Sequence, residues 1–161
     1  MIRKLLMAIA VIAAGVITAC SDMTAPKNNT PVNPSTATPH IEVTFTKWFT
    51  TFPDMTGFTG GDVAGTFAGQ VLSVSPFDNG VIVQLQARYE VTDPSGDRSF
   101  KAVIKGKQNN NTGRAVLNGV ITDGWRVGAR VHVTFQVITP CPQSGGAAEV
   151  CFQGTIRIQR G

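Results

Sequence analysis

The feature that most limits how this chain can fold is a two-residue alternation of apolar and polar side chains from residue 41 onward. In the clearest segment the apolar set is Val81, Val83, Leu85, Ala87, Tyr89 and Val91, and the residues between them are mostly polar. A period of two is typical of a β-strand with one buried and one solvated face. Helical periodicity is nearly absent from this region, so we expect an all-β domain.

Residues that favour tight turns separate the expected strands. We expect strands near residues 41–50, 63–74, 81–91, 99–107, 112–121, 125–139 and 150–159. Between some of them lie Asp78-Asn79-Gly80 and Asp123-Gly124, which supply the positive φ angles of hairpin turns. Neighbouring strands should therefore pair antiparallel, as a meander of about six or seven strands.

Glycines recur on the face that the alternation predicts to be buried. The segments FAGQV, LNGVI and FQGTI each place a glycine between apolar residues, and Gly69, Gly106, Gly119 and Gly154 share the inward parity. A glycine inside a strand forfeits packing and costs about 0.5–1 kcal/mol, so this set needs a structural reason. Tight coiling of a sheet that closes on itself is such a reason. We predict a closed or partly closed barrel, with a β-sandwich as the alternative.

A different composition precedes the β domain. Arg3 and Lys4 are followed by an uncharged apolar run from Leu5 to Ala19. As a helix this run would be about 22 Å long, which is short for a bilayer core of about 30 Å. A basic head, an apolar middle and small residues before the break are typical of a secretory signal peptide. Residues 1–19 are therefore expected to be cleaved.

The end of the apolar run resembles the lipobox of bacterial lipoproteins. Ile17, Thr18, Ala19 and Cys20 supply an aliphatic residue, two small residues and a cysteine. The resemblance implies cleavage before Cys20, attachment of diacylglycerol to its thiol, and acylation of the new amino group. Acyl chains of this kind anchor a protein to a membrane without spanning it.

Residues 20–40 contain the lipidated cysteine and a stretch rich in Pro, Thr, Asn and Ser. Such a composition buries too little apolar surface to fold and is typical of a flexible tether. Ser21 rather than Asp follows the cysteine, which the enterobacterial sorting scheme associates with the outer membrane. We expect a protein of the cell envelope, lipid-anchored on the outer side of the cytoplasmic membrane or in the outer membrane, with residues 41–161 as its all-β domain.

The domain itself is similar to small barrels of known type. Its meander, its glycine spacing and its exported context resemble calycin-like and allene-oxide-cyclase-like β-barrels. The chain contains no diagnostic motif of either group. The resemblance therefore implies a fold and assigns no functional residue.

Two cysteines remain when Cys20 is lipidated. Cys141 and Cys151 form an even pair in an exported chain, so we expect a disulfide bond between them. A zinc site would need further ligands, and the chain has histidines only at His40 in the tether and His132 on a solvated strand face. We expect no metal and no cofactor.

No residue pattern of a catalytic centre is recognisable. The chain has no nucleophile-elbow motif for which His132 could act as the general base. Asp93 and Asp97 lie in a turn, where carboxylates cap backbone amides. Loss of Arg3 and Lys4 with the signal peptide leaves 12 basic and 10 acidic residues, and the basic ones are not interleaved with aromatic residues. We expect neither an enzyme nor a protein that binds nucleic acid.

An aromatic-rich segment, FTKWFTTFPDMTGFTGG from Phe45 to Gly61, places five aromatic residues in a turn-rich stretch that the core does not readily explain. If it closes the mouth of the barrel, its aromatic rings belong to the core. If it stays partly open, Trp48 and Phe52 are candidate contacts for an apolar ligand or a partner. Tyr89 is expected to be the only polar side chain on the inward faces, so a ligand inside the barrel would meet its hydroxyl group.

These observations favour a non-catalytic envelope lipoprotein that binds a partner protein or a small apolar ligand. Two alternatives stay open, a purely structural or assembly module and a barrel enzyme of the isomerase or cyclase type. A cavity inside the barrel would favour ligand binding, and a solid core would favour the structural role.

Overall fold

The computed structural model describes residues 40–159, which form an antiparallel β-barrel. Its strands are β1 (Ile41–Thr51), β2 (Asp54–Gly61), β3 (Gly65–Phe77), β4 (Ile82–Thr92), β5 (Phe100–Asn109), β6 (Arg114–Gly124), β7 (Arg130–Ile138) and β8 (Cys151–Ile158). Each strand pairs with the next along the chain, and β8 pairs with β1. The expected all-β antiparallel meander is confirmed, and the sheet is closed.

The expected count of six or seven strands was wrong, because the barrel has eight. The missed strand is β2, which lies in the aromatic-rich segment and forms part of the barrel wall rather than a plug. Its inward positions are Met55, Gly57 and Thr59, and only the first is a large apolar residue. This strand therefore lacks the alternation that identified the others.

The strand expected from residue 125 also begins later than predicted. Residues 125–129 form the connection to β7, with Arg126 at a φ of +59° and Gly128 at +87°. Val127, which the alternation places in the core, is 64% exposed in this connection. In β7 the prediction that alternate residues face the core is correct, since Val131, Val133 and Phe135 are buried.

Three of the four inward glycines lie where neighbouring strands approach closely. A Cβ atom at Gly106, Gly119 or Gly154 would lie 2.1, 2.0 or 1.9 Å from a carbonyl oxygen of the adjacent strand. These distances are far inside van der Waals contact, so no side chain fits there. Close backbone approach in a coiled, closed sheet is therefore the reason for these glycines, as the barrel prediction requires.

Buried side chains fill one end of the barrel. Val63, Phe100 and Ile121 are almost fully buried near the β2–β3, β4–β5 and β6–β7 connections. Trp125 packs against this group and is partly buried. We call this the closed end, and the opposite end, with the β1–β2, β3–β4, β5–β6 and β7–β8 connections, the open end.

A disulfide bond joins Cys141 to Cys151 across the β7–β8 connection, which matches the expected pairing. The two Cα atoms are 5.1 Å apart, and both side chains are buried. Within the loop, the Ser144 hydroxyl donates a hydrogen bond to the Cys141 carbonyl at 2.9 Å and accepts one from the Ala148 amide at 3.1 Å. The bridge and this serine together fix the loop at the open end.

Candidate ligand-binding cavity

The barrel interior contains a cavity of about 200 Å³ toward its open end. It is lined by Lys47, Phe49, Phe52, Met55, Val71, Val74, Val83, Leu85, Ala87, Tyr89, Gln108, Leu117, Phe135 and Phe152. All but three of these side chains are apolar, and most come from strand segments next to the open-end connections. A concave site with apolar walls and a few polar groups is the usual form of a small-molecule site.

Exposed apolar side chains surround the mouth of this cavity. Phe52 in the β1–β2 turn is 65% exposed, and Val74 near the end of β3 is 46% exposed. Val74 reaches the wall because the register of β3 shifts between Val71 and Ser73, which places it opposite Leu85. The cavity is therefore continuous with solvent through an apolar rim.

Lys47 is the most unusual residue of the cavity. It lies on the inward face of β1, between Phe45 and Phe49, and only 3% of it is exposed. Its neighbours in the ladders are Gly57 of β2 and Phe152 of β8. A Cβ atom at Gly57 would lie 2.1 Å from the Thr46 carbonyl oxygen, so β2 passes close to β1 beside the lysine.

Aromatic rings enclose the amino group of Lys47. Its Nζ atom lies 4.0 Å from the ring centroid of Tyr89, 4.9 Å from Phe135, 5.4 Å from Phe45, 5.5 Å from Phe67 and 5.6 Å from Phe152. Within residues 40–159, no carboxylate forms a salt bridge with it. Burial without a counter-charge lowers the pKa of Lys47 well below its ordinary value, because the charged form is desolvated.

The hydroxyl group of Tyr89 is the hydrogen-bonding partner of Lys47, and the amino group donates to it. Burial raises the pKa of Tyr89, so this phenol keeps its proton at neutral and moderately alkaline pH. Both groups are thus driven toward their neutral forms. Together they offer a donor and acceptor pair deep in an apolar cavity.

Of the three residues that the sequence suggested as ligand contacts, two line the cavity and one lies on the outer face of the barrel. Phe52 and Tyr89 line the cavity, whereas Trp48 does not. Trp48 follows Lys47 on β1 and so points outward, where its ring packs against Phe58 at 6.2 Å between centroids. Trp48 is therefore not a contact for a ligand in this cavity, and its candidacy as a partner contact stays a prediction.

Sequence reasoning missed Lys47, although its signal was present. Val43, Phe45 and Phe49 occupy alternate positions of β1, and Lys47 continues their parity. The expectation that Tyr89 is the only inward polar side chain was wrong, because Lys47 and Gln108 also line the cavity.

The other residues considered as sites have local roles or lie outside the described part of the chain. His132 Nδ1 is 2.8 Å from the Asn118 side-chain oxygen across the β6–β7 ladder. Asp93 accepts a hydrogen bond from the Ser95 hydroxyl at 2.7 Å, and this bond is the main cause of the lowered pKa of Asp93. Cys20, the proposed signal peptide and all of the proposed tether except His40 fall within residues 1–39, outside the described residues.

Residues 40–159 contain no group of three or more His, Cys, Asp or Glu side chains placed to bind a metal ion. In the same range, no helix has the length and hydropathy required to cross a bilayer.

Comparison with known proteins identifies no relative. No protein-family model, no curated protein and no solved structure matches this chain. The cavity and its residues therefore carry the functional argument.

Proposed function

We propose that this protein is an exported lipoprotein whose barrel binds a small apolar ligand through its open end. The observation that carries this proposal is the cavity of about 200 Å³ with apolar walls and an apolar rim. A packed structural module would have no reason to keep such a space, because an unfilled cavity destabilises a barrel core. Exposed apolar side chains at its mouth, including Phe52 and Val74, add to the area that a ligand would cover.

The size of the cavity limits the ligand. An apolar cavity of about 150 Å³ is large enough to bind benzene. The space here suits one ring or a short alkyl chain, and a longer ligand would extend past Phe52 and Val74 into the rim. The interior would therefore bind one end of an elongated apolar molecule.

The proposed location rests on the N-terminal sequence. A signal peptide over residues 1–19, lipidation at Cys20 and a tether to residue 40 would place the barrel at a membrane surface of the cell envelope. Apolar ligands partition into membranes and dissolve poorly in water, so a tethered barrel with an apolar cavity suits their capture or transfer. We propose no catalytic step for this function.

Native mass spectrometry and calorimetry test ligand binding. The barrel purified from its producing cells is expected to carry a small apolar molecule, and the emptied protein is expected to bind 1-octanol with a measurable heat. Val83→Trp, which fills the cavity wall, should abolish octanol binding. Val116→Trp makes the same change on the outer face, where the valine is exposed, and should bind octanol as the unaltered protein does.

The structural or assembly alternative gives a different result. In that case no small molecule would accompany the purified barrel, and neither valine variant would differ from the unaltered protein in calorimetry. That outcome would overturn ligand binding as the function.

A further inference from the structure

The cavity contains a buried amino group without a counter-charge. The inward residues of neighbouring strands around Lys47 are Gly57 of β2, Phe67 of β3, Tyr89 of β4, Phe135 of β7 and Phe152 of β8. Of these, Tyr89 alone can ionise. Among all cavity-lining residues that the structure describes, Lys47 and Tyr89 are the only ionisable side chains.

An unpaired buried amine is costly for the fold. Lysine is almost never fully buried unless it is paired, and its burial here disfavours the charged form. A methionine or leucine at this inward position would fill the same space without that cost. A lysine at the base of an apolar cavity is therefore better explained by a partner that arrives from outside.

We propose that the ligand of this cavity is an apolar monocarboxylic acid, bound with its carboxyl group at Lys47 and Tyr89 and its hydrocarbon tail toward Phe52. This inference rests on the proposed ligand-binding function and names the class of ligand. An acid supplies the counter-charge that the barrel wall lacks, and an apolar tail matches the remaining walls. The bound head group would accept hydrogen bonds from the lysine amino group and the tyrosine hydroxyl.

Protons balance in this binding step. The acid is ionised in neutral solution, and desolvation favours the unprotonated form of the buried amine, so the complex forms with uptake of a proton from the buffer. In the equivalent description, the O–H bond of the neutral acid breaks and an N–H bond forms at Lys47. The product is an ammonium–carboxylate pair, and Tyr89 keeps its own proton while donating to the carboxylate.

Titration calorimetry with octanoate and 1-octanol tests the head-group preference, since the two probes differ only in that group. At about pH 7.5 we expect octanoate to bind at least about tenfold more tightly than octanol, the effect of one charge-assisted hydrogen-bonded pair. Measurements in phosphate and in Tris, which differ in ionisation enthalpy, should show uptake of about one proton per octanoate and none per octanol.

Two variants assign the preference to the named residues. Lys47→Met should bind octanoate at least about tenfold more weakly than the unaltered protein does, with no proton uptake, and should no longer prefer octanoate to octanol. Tyr89→Phe should weaken octanoate by about threefold to tenfold and leave proton uptake in place. A cooperative urea unfolding transition shows that each variant retains its fold.

The outcomes separate this inference from the function on which it rests. If neither probe binds, the proposed function fails, and this inference fails with it. If octanol binds and octanoate binds no more tightly, the cavity is a ligand site but the proposal that its ligand is a carboxylic acid is wrong. Borohydride trapping of octanal at Lys47, together with equal affinity for octanoate and octanol, would instead assign a carbonyl ligand and overturn the proposal.

Discussion

Gly154 of β8 lies directly opposite Phe135 of β7 on one side and Phe45 of β1 on the other. A Cβ atom on Gly154 would lie 1.9 Å from the Thr134 carbonyl oxygen and 2.7 Å from the Phe135 Cα atom. This position therefore lets β7 approach β8 closely at the place where β8 also joins β1. The absence of a side chain here is a condition for closing the barrel.

Gly154→Ala is expected to destabilise the protein by at least about 2 kcal/mol, because the added methyl group meets backbone atoms that cannot move independently of the sheet. Gly60→Ala is the matched control. Its new Cβ atom would meet only the Thr44 hydroxyl, at 2.9 Å, which can rotate away, so a change within about 0.5 kcal/mol is expected. Urea unfolding measures both variants, and equal losses would show that Gly154 has no special part in closure.

Most of the fold was predictable because its strands alternate strictly. The segment from Val81 to Val91 has one buried and one solvated face, and the barrel preserves that parity through Ala87, Tyr89 and Val91. β2 was missed because glycine and threonine occupy two of its inward positions. A strand that contributes little to the core has no apolar period for sequence analysis to detect.

The site was less predictable because it depends on which strands meet across the interior. Phe52 was recognised from its position in a turn, and Tyr89 from its parity. The alternation in β1 places Lys47 on the inward face. Only the closed sheet, however, brings its amino group to the ring of Tyr89, 42 residues away. Trp48 lies outside the cavity because a residue next to an inward position on a strand is itself outward.

Removal of the disulfide bond should lower stability without removing the barrel. Cys141→Ser with Cys151→Ser opens a loop between residues ten apart in sequence, and chain entropy predicts a loss of about 3 kcal/mol. Urea unfolding with and without reductant checks this. The unaltered protein should lose stability on reduction, and the double variant should be indifferent to the reductant. An unaltered protein that is equally indifferent would contradict a role for this bridge in stability.

Metabolic labelling with palmitate tests the proposed anchor. Labelled acyl chains should appear on the unaltered protein and on Cys141→Ser, and should be lost in Cys20→Ala, since the lipobox resemblance assigns lipidation to Cys20 alone. The Cys20→Ala protein should also leave the membrane fraction or keep its uncleaved N-terminal segment. Equal labelling of Cys20→Ala and Cys141→Ser would rule out this anchor and remove the basis for the envelope location.

The buried amine of Lys47 should make the stability of the empty barrel depend on pH. Burial holds the pKa of Lys47 well below its ordinary value in the folded protein, whereas the unfolded chain has a lysine pKa of about 10.4. Between these two values the unfolded state binds one more proton than the folded state. The free energy of unfolding should therefore rise with pH in this window, by up to about 1.4 kcal/mol per pH unit, and the gain is lost as the pH falls toward the folded pKa.

Comparison with Lys47→Met isolates this effect, because other groups titrate alike in both proteins. Urea unfolding at pH intervals approaching the unfolded lysine pKa should show the unaltered protein gaining stability relative to Lys47→Met as the pH rises. Tyr89, the only other ionisable group facing the amine, has a raised pKa and acts in the opposite direction, but only above about pH 10, where an unfolded tyrosine loses its proton. A stability difference that stays constant across the range would mean that Lys47 is charged in the folded barrel. An empty barrel with a charged Lys47 would have no proton to take up when an acid binds, so the same measurement also constrains the ligand.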